Sequence, residues 1–289
     1  VRSRGLGDVY KRQQQQMLDE IEYWLKLGVD GFRFDVINFL YHDSGLRDNP
    51  AKDPKLVRPL GFNKDNPYGL QIHKYDNTQP ETLEYLSRVR KVLDKYDAIS
   101  VGEIVSENPL DVIGEYANDQ RLHMAYCFEF LSEDFNFSDT NKIVDQFFRN
   151  NPNSWPCWSF SNHDSMRIAS RVNKPSKEIM KKLMELKGNI CIYQGEELGL
   201  QETEVQFKDL QDPFGKNFWP EFKGRDGCRT PMPWNSNEIN LGFSEKKTWL
   251  PVNFDYATKS VEKQEQNPNS MLNNTKELIK QRKRGFATQ

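Results

Sequence analysis

Arg33 and Asp35 stand two residues apart in the run 31–39 (GFRFDVINF). On an extended strand, side chains alternate between faces, so these two would project from the same one. A guanidinium beside a carboxylate favours the charged form and lowers its pKa, as a carboxylate nucleophile at neutral pH requires. A plain ion pair at a strand end needs the same two residues. Glu103 closes the run 98–103 (AISVGE) after Val101 and Gly102. A carboxyl against apolar walls has its pKa raised and suits a proton donor at about pH 6–7, although strands also end in Glu for no catalytic reason. The run 160–164 (FSNHD) sets His163 beside Asp164 just after the aromatic stretch WPCWSF. That pair can hydrogen-bond neighbouring sugar hydroxyls or cap a turn. Three carboxylates with an Arg and a His suit glycoside cleavage, in which two carry out covalent and proton-transfer work and the third holds ring hydroxyls. Tyr41, Phe62, Tyr68 and Trp219 lie in the same loops and are candidates for stacking on sugar rings, or for ordinary packing.

The elements that must position these residues alternate. Met17, Ile21, Trp24 and Leu25 have helical spacing, and Gly28 stops the helix. The strand 31–39 follows, then a long loop to Pro80. Helices are predicted at 83–93, 111–116, 142–148, 177–186 and 270–283, and strands at 98–103, 124–128, 155–160 and 189–193. Five strands alternating with six helices indicate a parallel α/β sheet. A doubly wound sheet and part of a closed barrel both fit that count. No glycine-rich phosphate loop follows any strand. Asp35, Glu103, His163–Asp164 and Glu196–Glu197 all fall at C-terminal strand ends, which in a (β/α)8 TIM barrel converge on one mouth. The predicted fold class is therefore α/β, a partial barrel.

Composition excludes other classes. The 289 residues carry 40 Lys+Arg and 42 Asp+Glu, a net charge of −2, which gives no electrostatic reason for a nucleic-acid or anionic-membrane partner. No apolar run approaches the ~20 residues of a spanning helix. An aromatic content of 12% argues against disorder. Cys127, Cys157, Cys191 and Cys228 form no C-x-x-C pair and have no His at zinc-ligand spacing, so no metal is assigned; Cys127 and Cys191 read as small core residues. Without a visible signal peptide the default location is cytoplasmic. Residues 1–13 (VRSRGLGDVYKRQ) lack an apolar period, and 8–13 look like a translated transposon end, so 1–13 is read as a non-native leader and 14–289 as the barrel fragment. His42, His73 and His123 read as structural, and Arg282–Arg284 as a solvated helix end.

Taken together, GFRFDVINF, VGEIV (101–105), FSNHDS (160–165) and IYQGEELG (192–199) resemble the α-amylase superfamily, glycoside hydrolase family 13. RDNP (47–50), NPYG (66–69), FWPEFK (218–223), GRDGCRTPMPW (224–234) and TWLPVN (248–253) resemble its oligo-α-glucosidase branch, near bacterial α-glucosidases and oligo-1,6-glucosidases. The resemblance implies that Asp35 is the nucleophile, Glu103 the general acid/base and Asp164 the transition-state stabiliser. It implies that Arg33, His163 and Arg229 hold the sugar in the first subsite. The implied reaction is retaining exo-hydrolysis of a terminal α-glucose from a small oligosaccharide or α-glucoside, with no cofactor. Retention implies carboxyls roughly 5–5.5 Å apart. Val36, after the nucleophile, resembles α-1,6-acting members, whereas the RDNP, NPYG and GRDGCRTPMPW loops resemble the α-1,4 group, so linkage stays open.

By the same resemblance, the family's first three barrel strands, its inserted domain and its C-terminal β-domain have no counterpart here. The matched strands four and eight would become sheet edges, and a pocket lacking one wall could not exclude water. The fragment alone is therefore expected to be inactive. Three alternatives remain: a glucosyl-transferring or isomerising relative, such as a sucrose isomerase or a trehalose-6-phosphate hydrolase; a non-catalytic glucosidase-like protein; and a doubly wound fold with chance matches.

Overall fold

The computed structural model describes residues 4–53, 67–106, 108–132 and 135–287; the stretch 54–66, Phe62 with it, lies outside the described residues. All five predicted strands form: β1 (Gly31–Phe34), β2 (Ile99–Gly102), β3 (Met124–Cys127), β4 (Pro156–Trp158) and β5 (Asn189–Ile190). The α-helices are α1 (Arg4–Lys26), α2 (Pro80–Asp94), α3 (Pro109–Tyr116), α4 (Thr140–Asn150), α5 (Ile168–Arg171), α6 (Ser176–Glu185), α7 (Pro213–Asn217), α8 (Val261–Gln266) and α9 (Met271–Ala287). The sheet order is β1-β2-β3-β4-β5, and the β1–β2 and β2–β3 pairs are parallel. A doubly wound sheet reverses its strand order at a switch point. This one does not, so the fold is the α/β arrangement of a partial (β/α)8 barrel.

The strands are shorter than their β-forming runs, because the backbone leaves extended geometry as soon as each functional loop begins. Val36 has φ +33°, ending β1, and residues Ile37–Phe39 form a 3-10 turn. The short helices α5, α7 and α8 carry no apolar period long enough to be read from sequence. No helix among the described residues is long and apolar enough to cross a membrane.

The chain divides into two compact units. The first includes residues 4–53, Leu70–Cys127 and Ile143–Cys157. In it, α1 packs on α2 through Leu18, Ile21 and Leu25 against Tyr85, Val89 and Leu93. This corrects the predicted stripe. Met17 and Trp24 are half exposed, and the buried face is turned by about one position toward Leu18. The helix also begins at Arg4, upstream of its apolar stretch, where Lys, Arg and Gln favour helix without needing burial. Pro80 and Pro109 occupy first-turn positions of α2 and α3, where a missing N–H costs nothing.

The second unit includes Phe128–Lys142 and Trp158–Gln289. One core gathers Leu198, Leu200, Met232, Leu241, Tyr256 and Leu272. Another is aromatic: Phe130 lies 5.1 Å from both Trp158 and Phe160, centroid to centroid, and Phe135 and Phe137 extend the cluster. It anchors the segment that leads from β4 to His163. Arg282 is not a solvated end: its guanidinium donates to the carbonyls of Met184, Leu186 and Gly188, which capping leaves open after α6.

Candidate active site

In the first unit, the register of β1 against β2 sets the chemistry. Arg33 pairs with Val101 and Phe34 with Gly102, so Asp35 and Glu103 are the next residues on two adjacent parallel strands. Glu103 N donates to Phe34 O at 2.8 Å, and Ile37 N donates to Glu103 O at 2.9 Å. Gly102 leaves room for Leu122, since a Cβ there would sit 2.4 Å from Leu122 Cδ1.

Arg33 joins the two carboxylates. Its Nη1 donates to Asp35 Oδ1 at 2.6 Å and its Nη2 donates to Glu103 Oε2. The Arg33–Asp35 pair expected from spacing is therefore present, and Glu103 completes it. The two acids differ in environment: the Asp35 side chain is 70% exposed and that of Glu103 is 9% exposed. Burial works against the charge of Arg33, but the Asp35 hydrogen bond and the charges of Glu103 and Asp35 outweigh it, holding the guanidinium above its ordinary range. Tyr126 of β3 places its ring 5.9 Å from the Arg33 guanidinium carbon.

The loops behind these acids are tied by Asn38, which is fully buried. Its Nδ2 donates to Val105 O at 2.8 Å and to Thr78 Oγ1 at 2.9 Å, and its Oδ1 accepts from Val105 N at 3.2 Å. Val36 lies between Asp35 and this anchor in the left-handed region, unusual for a β-branched residue, with its side chain partly open to solvent.

In the second unit, the FSNHD turn is held by its own side chains. Asp164 N donates to Asn162 Oδ1 at 2.9 Å and Ile168 N donates to Ser161 Oγ at 2.9 Å. Asp164 Oδ1 accepts from Arg229 Nη2 at 2.8 Å and from Arg225 Nη1 at 2.9 Å. His163 Nε2 lies 3.3 Å from Asp164 Oδ2, and Arg229 Nε donates to His163 O at 2.6 Å. His163, Asp164 and Arg229 are thus brought together, as Arg33, Asp35 and Glu103 are in the first unit.

Spacing alone did not reveal Arg225 and Asp212. Both guanidiniums on Asp164 come from GRDGCR, where Arg225 precedes Arg229 by four residues, a repeat of like charges that was available as a signal. Tyr41 meets Tyr85 with centroids 6.4 Å apart, and Trp219 meets Phe207 at 5.6 Å, so both serve in packing. Tyr68 lies in a 3-10 turn, Pro67–Leu70. His73 pairs with Asp76 and His123 with Ser100, as structural histidines do. Cys127 is buried and Cys191 partly so. No cluster of three or more His, Cys, Asp or Glu among the described residues suits a metal ion.

Comparison with known proteins matches residues 9–288 to the family described as alpha amylase, catalytic domain. The chain belongs to this family. It is 43% identical over 288 residues to "Probable alpha-glucosidase" of Rhizobium meliloti (strain 1021), covering 96% of this chain and 52% of that protein. It is 30% identical over 312 residues to the oligo-1,6-glucosidase of Parageobacillus thermoglucosidasius, covering 93% and 53%. Among solved structures, an alpha-glucosyl transfer enzyme, XgtA, superposes with a TM-score of 0.88 at 45% identity, covering 93% of this chain and 51% of that one. The chain spans about half the length of the curated relatives it matches. Asp35 and Glu103 directly follow the last paired residues of β1 and β2.

Proposed function

We propose that the full-length protein is a retaining, exo-acting α-glucosidase that removes terminal α-glucose from short oligosaccharides or α-glucosides. The observation that carries this reading is the Arg33 guanidinium shared by Asp35 and Glu103. One carboxylate is open to solvent, as an attacking group needs to be, and the other is buried on the same guanidinium. Asp35 attacks the anomeric carbon while Glu103 protonates the departing glycosidic oxygen, leaving a glucosyl ester on Asp35. Glu103 then takes a proton from water, the water oxygen attacks the same carbon, and α-glucose leaves with Asp35 regenerated. By the family resemblance, Asp164 accepts hydroxyl hydrogen bonds that strengthen as the ring flattens, and Arg33, His163 and Arg229 are sugar contacts. Residues 14–289 supply these groups as part of the catalytic barrel. Because the chain spans about half the length of its relatives, turnover is assigned to the full-length protein and not to this stretch alone.

A second reading is glucosyl transfer, favoured by the likeness to the α-glucosyl transfer enzyme. It uses the same intermediate, with a sugar hydroxyl replacing water. Incubating the full-length protein with maltose, isomaltose and sucrose, and following products by proton NMR, tests both readings. Hydrolysis predicts free glucose appearing first as the α-anomer; transfer predicts new oligosaccharides; a β-anomer or no turnover of any α-glucoside contradicts the proposal.

A further inference from the structure

Asp164 is not held by its own loop alone. The Arg225 guanidinium lies between two carboxylates, Asp212 on one side and Asp164 on the other. Arg225 Nε donates to Asp212 Oδ2 at 3.0 Å and Nη2 donates to Asp212 Oδ1 at 2.9 Å, a two-pronged pairing that fixes the plane of the guanidinium. Nη1 faces Asp164 Oδ1, at 2.9 Å. The ring of Phe214 lies 5.3 Å from the guanidinium carbon. The Asp212 side chain is fully buried, whereas the Asp164 side chain is 35% exposed.

Asp212 is itself held from behind. Asp226 Oδ2 accepts from Asp212 N at 2.8 Å and from Gln211 N at 2.6 Å. Asp212 Oδ2 also accepts the Arg225 backbone N–H at 2.8 Å, and Oδ1 accepts Phe214 N at 3.2 Å. Burial would raise the Asp212 carboxyl pKa, but the Arg225 hydrogen bonds and charge bring it below the ordinary carboxylate range, and Asp212 holds Arg225 above its own. A lysine could supply a positive charge here but not the planar fork that sets direction.

Resting on the α-glucosidase reading, we propose that Asp212 is a positioning residue that acts through Arg225. It aims Arg225 Nη1 at Asp164 Oδ1, so that Arg225 and Arg229 together fix that oxygen and set the orientation of the carboxylate that receives the distorting sugar. Hydroxyl bonds to Asp164 gain most in the transition state, so loss of this orientation falls on kcat more than on KM.

The test is a double-mutant cycle in the full-length protein with p-nitrophenyl α-glucoside, using Asp212→Asn, Arg225→Gln and the pair, with thermal midpoints measured alongside. Each single change is expected to lower kcat by about 10- to 100-fold with KM moving less than about threefold, and the pair to be no worse than Arg225→Gln. Additive losses, or a loss carried by KM and the thermal midpoint alone, would overturn the relay and leave Asp212 a loop anchor. Should Asp212→Asn not fold, Arg225→Lys decides: kcat as low as in Arg225→Gln supports orientation by the fork, and near-normal kcat overturns it. Absence of turnover in the unmutated protein would mean that the α-glucosidase reading itself is wrong and the relay falls with it; turnover with an additive cycle means that only the relay is wrong.

Discussion

Asp35 and Glu103 stand side by side, each one residue beyond the paired strand positions Phe34 and Gly102. Sixty-eight residues of sequence separate them, yet the strand register makes them neighbours across a parallel ladder whose strands lie about 4.8 Å apart. A single guanidinium, Arg33, then engages both.

That shared guanidinium makes Arg33→Lys a severe change. An ammonium is a point donor and cannot reproduce a planar fork reaching two acids. Each charge-assisted hydrogen bond is worth about 1.5–3 kcal/mol. Losing one should lower kcat/KM on p-nitrophenyl α-glucoside by roughly 10- to 100-fold, measured in the full-length protein. Normal efficiency in the Arg33→Lys variant would contradict the bridging role.

Asn38 links the loop after β1 to Val105 in the loop after β2 through two hydrogen bonds, and to Thr78 through a third. Truncation to Ala would leave the Val105 N–H and C=O without their side-chain partner in a half-buried setting. The expected cost is about 2–3 kcal/mol of stability, read as a lower urea midpoint, together with reduced kcat as Glu103 loses its support. An unchanged midpoint would show that these loops are held otherwise.

Val36 directly follows Asp35 and exposes part of its side chain on the same loop. Thr is nearly the same size but adds a hydroxyl, and single-group changes in a pocket shift discrimination by about 1–3 kcal/mol. Val36→Thr is expected to raise the ratio of kcat/KM for maltose over isomaltose about tenfold. A ratio unmoved within twofold would remove Val36 from linkage selection.

Glu196 sets a pH signature in the second unit. Burial pushes its carboxyl up to about 7 from an ordinary 4.5, against the opposing effects of Ser161, the Tyr193 backbone N–H and Arg167. Between those values the folded protein keeps a proton that the unfolded chain has lost, so stability falls as pH rises through that window. At about 1.36 kcal/mol per pH unit the loss amounts to about 3 kcal/mol. Glu196→Gln should flatten this part of the urea-midpoint profile; an unchanged slope between pH 5 and about 7 would assign it to other groups.

The five strands and their order were legible because each β-forming run ends in a polar loop, and Arg33 with Asp35 because an i, i+2 pair on a strand must share a face. Glu103 as the third member was legible as an acid at a strand end but not as a partner of Arg33, since strand register is non-local. The buried stripe of α1 was read one position off, because Met17 and Trp24 satisfy helical spacing as well as Leu18 does, and only the α2 face decides between them. Asp212 and Arg225 lay hidden for a different reason. They are thirteen residues apart across loop and short helix, where no period relates sequence distance to contact.

Chemical trapping tests the central assignment most directly. The full-length protein, inactivated with 5-fluoro-α-glucosyl fluoride and digested, should yield one glucosylated peptide with the sugar on Asp35, and Asp35→Asn should give none. Active enzyme that labels at another residue, or that turns over the reagent without ever carrying the sugar, would contradict Asp35 as the nucleophile.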